Sequence, residues 1–491
     1  MKNLKIVAAV AAALAGSAGA HASDLATTVD ILTNFNAATD VVLTVAGASA
    51  ARNSFGLELS PLKEDGSANP TGLCQNTTAP ADRFDVYRSN TASGRDFRAY
   101  SCRLGTVATS GVNTTLNNRR AVIFYRSEGG SVWGPLSLIN NQLCTSGATT
   151  PCAGGGGNTI KRLSVSAASC GASPATLTGI ITTATTLTTL TTDCTVTGYD
   201  FESDGALSNG LQEATTEFAV SDVEPNMFAF PANYPQSGKF KAFNGGPITD
   251  PTSTKAALNP INNASVRGFG EIFGVVVSNS EATQNLNTQD LVALFTGSIT
   301  DWANVPDYTN GGFNAANPVK LCRREPGSGT QVISQVVYLG QGCSPSAPQF
   351  LPGNGTTVIE NTTGGALNGC VNAPGAIGIS VFGGNPTGAH FVTINGTASS
   401  RTNAALGTYP YSSELTFTQR PSLNVSNLQG SRLAGILTTR GQSATSMPNN
   451  LSTFGIPGVG GNSVALPVST TNPVALGTRS KSSCAPSALT N

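Results

Sequence analysis

Short apolar, β-branched runs punctuate this chain, each ended by a glycine or a polar turn. Val41-Val42-Leu43-Thr44-Val45-Ala46-Gly47 comes first, followed by Ala121-Val122-Ile123-Phe124-Tyr125, Phe218-Ala219-Val220-Ser221-Asp222 and Phe273-Gly274-Val275-Val276-Val277-Ser278. Ala376-Ile377-Gly378-Ile379-Ser380 and Glu414-Leu415-Thr416-Phe417-Thr418 complete the set. Continuous apolar runs of this length predict strands buried on both faces. Between them the spacing becomes helical: a helix begins within residues 48–59, a second over 290–295 starts at Thr288-Gln289-Asp290 and stops at Gly297, and a third covers 331–339. Strands alternating with helices predict an α/β fold with largely parallel sheets. Ligands bind such sheets beyond the carboxyl ends of the strands, and the loops at Gly47, Ser127, Asp222 and Arg324 all follow strands.

Two stretches interrupt the alternation. Residues 61–118 are polar and rich in turn formers. Residues 144–194 carry Gly154 to Gly157 and a threonine-rich run from Thr176 to Thr192. Such a run has high β-propensity and little to bury, which predicts an exposed hairpin or loop held by disulfides.

The N-terminus changes the picture of where the chain works. Lys2 and Lys5, an apolar run over residues 6–14 and Ala20-His21-Ala22 predict a secretory signal cleaved after Ala22, too short to span a bilayer. No cysteine lies near that point, which argues against a lipid anchor, and the mature chain is expected in the periplasm or outside the cell. All ten cysteines lie beyond the signal, and an even number in an oxidising compartment favours disulfides. Short separations suggest Cys74 with Cys102, Cys144 with Cys152, Cys170 with Cys194 and Cys322 with Cys343, although spacing alone does not fix connectivity.

Chemistry is restricted by what is scarce. The chain has no Cys-x-x-Cys, and His390 is the one histidine beyond the signal, so no metal or other cofactor is expected. The same scarcity argues against Ser-His or Cys-His catalysis, and the chain does not read as an enzyme. Charged residues make up 11%, with 27 basic and 27 acidic; without Lys2 and Lys5 the balance is 25 against 27, a net charge of −2. Nucleic acid is therefore not an expected partner. A length of 491 residues allows two or more domains with large cores.

The most informative run is Leu321-Cys322-Arg323-Arg324-Glu325-Pro326-Gly327-Ser328-Gly329-Thr330. It sets a permanent cation beside a Gly-Ser-Gly-Thr turn whose amides and hydroxyls can converge on an anion at the start of a helix. The same four residues are also an ordinary turn, so the run gains its meaning from the other loops.

The order of those loops resembles the periplasmic phosphate-binding proteins of ABC transporters, which have the two-lobed type II periplasmic binding protein fold. The residues that carry the resemblance are Val45-Ala46-Gly47-Ala48-Ser49, Tyr125-Arg126-Ser127-Glu128-Gly129-Gly130, Phe218 to Asp222, Leu291 to Trp302, Arg323 to Thr330, Pro374 to Gly378, and Tyr409-Pro410. It covers residues 271–420 well and the earlier part in patches; residues 60–118, 143–210 and the last forty or so have no counterpart.

The resemblance implies two lobes closing on an oxyanion. Lobe I would comprise residues 23–272, with a cysteine-rich insertion at about 143–210, and lobe II residues 273–413. Residues 414–491 would return to lobe I and form a tail. Crossover strands would lie near 273–278 and 413–418. Ser49 and the Ala50 amide would bind from the first loop, Ser127 from the second and Asp222 from the third, with Arg324, Ser328, Gly329 and Thr330 facing them. Arg324 offers a planar fork to two anion oxygens, whereas ionised Asp222 accepts only from a protonated one, as phosphate has and sulfate lacks. Phosphate or a similar oxyanion, an ABC transporter membrane complex as partner, and a monomeric state follow from the same resemblance.

Several positions depart from the family pattern. The acidic residue that precedes Gly-Ser-Gly-Thr and orients the arginine is replaced by Pro326, leaving Glu325 as a substitute. The first loop has Ala50-Ala51-Arg52 in place of an aromatic-proline pair, and Glu128, Ser131 and Trp133 near the second loop are unusual. A second reading stays open, in which the fold serves as an extracellular structural or adhesion protein with the insertion as its working surface. A secreted hydrolase is the weakest alternative, since no activated nucleophile is present.

Overall fold

The computed structural model describes residues 25–62, 68–77, 79, 81–89, 97–106, 114–127, 130–138, 159–175, 191–196, 210–229, 251–341, 350–382, 386–409, 411–420, 428–442, 453–457, 475–478, 484 and 488–489. The expected signal segment, Glu128, the Cys144–Cys152 pair, Cys343 and most of the threonine-rich run lie outside the described residues. No helix among the described residues is long and apolar enough to cross a membrane.

The architecture is mixed α/β, built around one large sheet. Asp40–Gly47 pairs in parallel with Arg120–Arg126 on one side and with Phe218–Ser221 on the other, so three strands end at one edge. Lys320–Arg324 pairs in parallel with Val358–Asn361 and with Ala376–Val381, forming a second such group. The inner strands of both groups are buried on each face, as central parallel strands require, while the end strand Val358–Asn361 leaves Glu360 exposed.

Largely parallel sheets were expected, and the structure corrects this: the sheet is mixed, with parallel order at these two centres and in outlying pairs such as Asp85–Ser89 with Thr191–Cys194, and antiparallel pairing between and around the centres. Val266–Ser278 joins the centres. Its first half pairs antiparallel with Ser412–Gln419, and its second half, from Phe273, pairs antiparallel with Ala376–Val381. Ser412–Gln419 in turn pairs with Phe218–Ser221. The two strands expected to cross between lobes are thus neighbours in the sheet, and the first begins earlier than its apolar run suggested.

The turn-rich region contains a hairpin, Asp85–Ser89 with Phe97–Arg103, whose second strand pairs with Arg120–Arg126. Its period was hidden because Asp85, Arg88, Arg98 and Ser101 are buried. Arg83 pairs with Asp85 at 2.9 Å and Arg88 with Asp193 at 2.6 Å, which lets charged side chains occupy sheet positions.

The insertion is also corrected. Thr159–Leu163 pairs with Leu211–Thr215, and Cys170–Ala175 pairs with Thr191–Cys194, which extends the main sheet beside Asp85–Ser89. Leu163, Cys170, Cys194 and Leu211 are buried in one cluster with Tyr87, Phe97 and Phe124. The described part of the insertion is therefore core and not an exposed excursion.

Disulfides join Cys74 to Cys102 and Cys170 to Cys194, as the spacing suggested. Cys322, however, joins Cys370 and not Cys343. The helix Gly364–Cys370 packs against the strand bearing Cys322, with Leu367, Val371 and Ala376 filling the same cluster, and brings the Cα atoms to 5.9 Å. Cys484 is disulfide-bonded as well, and no described cysteine is free.

The helices near the strand ends follow their local signals. Arg52–Leu59 starts just after the first loop. Thr288–Phe295 is capped by the Asn287 side chain, which accepts from the Asp290 amide, and Gly297 follows with φ of 76°. Gly329–Ser334 continues into a wider turn, Gln335–Leu339, and stops at Gly340, whose φ is 64°.

Candidate anion-binding site

The first loop is fixed by close backbone contact. Gly47 has φ of 138°, and a Cβ there would stand 1.7 Å from the Val220 carbonyl oxygen. Glycine allows the approach, and the Ala48 amide then donates to that same oxygen at 2.9 Å. The Tyr125 hydroxyl donates to the Ala48 carbonyl at 2.6 Å, tying the first loop to the second strand. Burial, then the charges of Asp222 and Glu271, hold that hydroxyl well above the ordinary tyrosine range.

Arg324 ends its strand with the guanidinium held at three points. Nε donates to the Asn361 carbonyl at 3.1 Å, Nη2 to the Thr362 carbonyl at 2.9 Å, and Nη1 to Ser49 Oγ at 3.2 Å. The arginine is 2% exposed. Two backbone carbonyls at the end of the neighbouring strand therefore aim the fork at the first loop. Glu325 is buried beside it, with its amide donating to the Asn361 carbonyl at 3.3 Å.

Asp222 lies opposite. Its Oδ2 accepts from Ser131 Oγ at 2.8 Å, and its Oδ1 is buried without a hydrogen-bond partner. Burial pushes the carboxyl up from the usual aspartate range to about 6, against the opposing pull of the Ser131 hydroxyl, the Arg324 charge and the Thr330 amide. The Asp222 carbonyl accepts from Ser413 Oγ at 2.6 Å, which ties the third loop to the returning strand Ser412–Gln419.

The glycine turn fits against these loops. A Cβ on Gly329 would meet Asp222 Cβ, Asp222 Oδ2 and Ser131 Oγ, each at 2.5 Å, so only glycine permits this packing. The Val132 amide donates to the Gly327 carbonyl at 3.0 Å, and the Cα of Ser328 lies against Gly130.

Of the eight residues singled out, Ser49 and Arg324 are hydrogen-bonded, while Asp222, Gly329 and Thr330 meet at one point. Ser328 packs on the second loop, and Ala50 is buried between the first loop and its helix. Ser127 is buried at the same edge, where Arg52 Nη1 donates to its Oγ at 3.5 Å.

Sequence reasoning left Ser131 out of the site, along with the carbonyls of Asn361 and Thr362. The position of Ser131 just past the second strand was the available signal; backbone carbonyls leave none. Trp302 is fully buried and donates from Nε1 to the Gly375 carbonyl at 2.9 Å, a packing role. His390 contacts Asn279 Oδ1 and the Thr283 carbonyl. Among the described residues no group of His, Cys, Asp and Glu is placed to hold a metal ion.

The chain is similar to phosphate-binding proteins of known structure. A phosphate-binding protein from Stenotrophomonas maltophilia matches at 15% identity, over 47% of this chain and 70% of that one, with a TM-score of 0.32. A human phosphate-binding apolipoprotein matches at 12% over 49% and 77%, with a TM-score of 0.32. An ABC-type phosphate transport receptor from Vibrio cholerae matches at 17% over 37% and 68%, with a TM-score of 0.29. No family model and no curated protein matches the chain.

Proposed function

We propose that this protein binds phosphate or a closely related oxyanion between two lobes and carries out no catalysis on it. The observation that carries the reading is the buried Asp222 carboxyl, with one oxygen unpaired, held within electrostatic reach of the Arg324 guanidinium where the Ser49, Ser131 and Thr330 loops meet. A buried carboxylate costs stability unless it has a partner, and a protonated phosphate oxygen is a donor suited to it. Arg324 supplies the opposite charge and a planar fork for the ionised oxygens.

The lobes are assigned as residues 23–272 with the return from 414, and 273–413. The change of pairing partner within Val266–Ser278 at Phe273 supports that division. The ligand set is Ser49, the Ala50 amide, Ser127, Asp222, Arg324, Ser328, Gly329 and Thr330, to which Ser131 is added as the hydroxyl that orients Asp222. Export through a signal cleaved after Ala22 fits the disulfides, which persist in oxidising compartments. A monomer that delivers its anion to an ABC transporter membrane complex completes the reading.

Isothermal calorimetry of the purified full chain with phosphate is the test. Saturable one-to-one binding is the expected result. An absence of heat, together with a melting temperature unmoved by phosphate, would refute the reading.

A further inference from the structure

Arg52 opens the helix Arg52–Leu59 directly after the first loop, where the family that this chain resembles carries an aromatic-proline pair. Its side chain is half-buried, and Nη1 donates to Ser127 Oγ at 3.5 Å. On the other side of the site, Arg324 Nη1 donates to Ser49 Oγ at 3.2 Å. Two guanidinium groups therefore each end on one of two hydroxyls assigned to the ligand. The charge of Arg52 also reaches the buried Tyr125 hydroxyl, where it opposes the charges of Asp222 and Glu271. That hydroxyl bonds the Ala48 carbonyl at the base of the first loop, so Arg52 acts at the same edge of the sheet as the other binding groups.

We propose that Arg52 is a second anion-binding guanidinium, and that the site takes a doubly charged oxyanion in preference to a singly charged one. The inference rests on the reading of the site given above. Hydrogen phosphate matches the groups on the page: its one hydroxyl can donate to Asp222 Oδ1, and its three remaining oxygens accept from Arg324, from Arg52 and from the Ser49 and Ser127 hydroxyls. Asp222 and Arg324 together carry no net charge, and the second arginine adds one positive charge beside the Ser49 and Ser127 hydroxyls, which favours the more highly charged anion.

Calorimetry with phosphate at pH 8 on the full chain tests this. Arg52→Gln should weaken binding about tenfold, while Arg52→Lys, which keeps the charge, should stay within about threefold of the parent. An Arg52→Gln protein that binds as tightly as the parent overturns the proposal, as does Arg52→Lys binding no better than Arg52→Gln. A parent protein that binds no phosphate instead refutes the wider reading, so the two failures are distinguishable. The unaltered protein gives an independent measurement should Arg52→Gln fail to fold. In the unaltered protein, phosphate affinity should fall as pH drops from 8 to 6.5, where the anion takes up its second proton while Asp222 stays mostly ionised; affinity that stays level or rises overturns the proposal.

Discussion

Arg324 Nη1 donates to Ser49 Oγ at 3.2 Å, although 275 residues separate the two in the chain. The bond joins the ends of two parallel strand groups, and carbonyls of Asn361 and Thr362 hold the rest of the guanidinium. Arg324→Ala should therefore remove a positioned buried cation with little repacking of the strand. Loss of such a partner typically costs about 2 to 5 kcal/mol, so phosphate affinity should fall at least about tenfold in calorimetry. Unchanged affinity would remove Arg324 from the site.

On the proposed reading, Asp222 decides which oxyanion is accepted. With its carboxyl pushed up to about 6, it is mostly ionised at neutral pH and accepts from a protonated oxygen; below about pH 6 it becomes protonated and can itself donate. Discrimination against sulfate should thus be strong at pH 7.5 and relax toward pH 5. Asp222→Asn, which can donate at any pH, should bind sulfate with little pH dependence. Competition between sulfate and phosphate across this range reads the effect, and a parent protein that binds sulfate as well as phosphate at pH 7.5 would rule the role out.

Much of this site was legible because strands ending in glycine, serine or aspartate state their own loops. Gly47, Asp222 and the Gly327-Ser328-Gly329-Thr330 turn each announce an irregular backbone in one short stretch. What could not be read was whatever depends on distant packing. Ser131 matters only because Asp222 lies 2.8 Å away, and Cys322 finds Cys370 only because a helix folds back on its strand. The Asp85–Ser89 and Phe97–Arg103 hairpin was missed because buried ion pairs put charges where an apolar period would have marked strands.

Gly329 tests the closeness of the two halves. An added Cβ would stand 2.5 Å from Asp222 and from Ser131 Oγ, so Gly329→Ala must push the turn away from the third loop. Phosphate affinity should fall by an amount comparable to the Arg324 change, and small-angle scattering should show a more open average shape. A variant that closes and binds like the parent would mean that the Asp222 and Ser131 side chains yield without cost.

Glu58 gives the stability a pH dependence of unusual sign. Arg440 Nε donates to Glu58 Oε1 in a buried pair that joins the helix Arg52–Leu59 to Leu428–Arg440. Burial nevertheless pushes the carboxyl from 4.5 up to about 7, against the charge and hydrogen bond of Arg440. The folded state holds this proton more tightly than the unfolded chain, so its contribution is most favourable below about pH 4.5 and declines as pH rises to 7, by on the order of 3 kcal/mol. Asp222 adds to the same trend at slightly lower pH. Urea unfolding between pH 4.5 and 7.5 should show a shallower decline for Glu58→Gln than for the parent; identical slopes would exclude Glu58 as a source.

Removal of residues 145–192 tests whether the insertion belongs to the core. Thr159–Leu163 pairs with Leu211–Thr215, and Thr191–Cys194 continues the main sheet beside Asp85–Ser89. The deletion strips Ile160, Leu163, Val165 and Cys170 from positions no more than 5% exposed and leaves Cys194 without its disulfide partner. Uncovering Tyr87, Phe97 and Phe124 in this way should cost roughly 5 kcal/mol or more, since each buried apolar side chain contributes about 1.5 to 3. The shortened chain should melt well below the parent and lose phosphate binding together with its fold, because Phe124 shares its strand with Tyr125, which holds the first loop. A shortened chain with the parent's melting temperature would show that this edge of the sheet adds nothing to the stability of the binding loops.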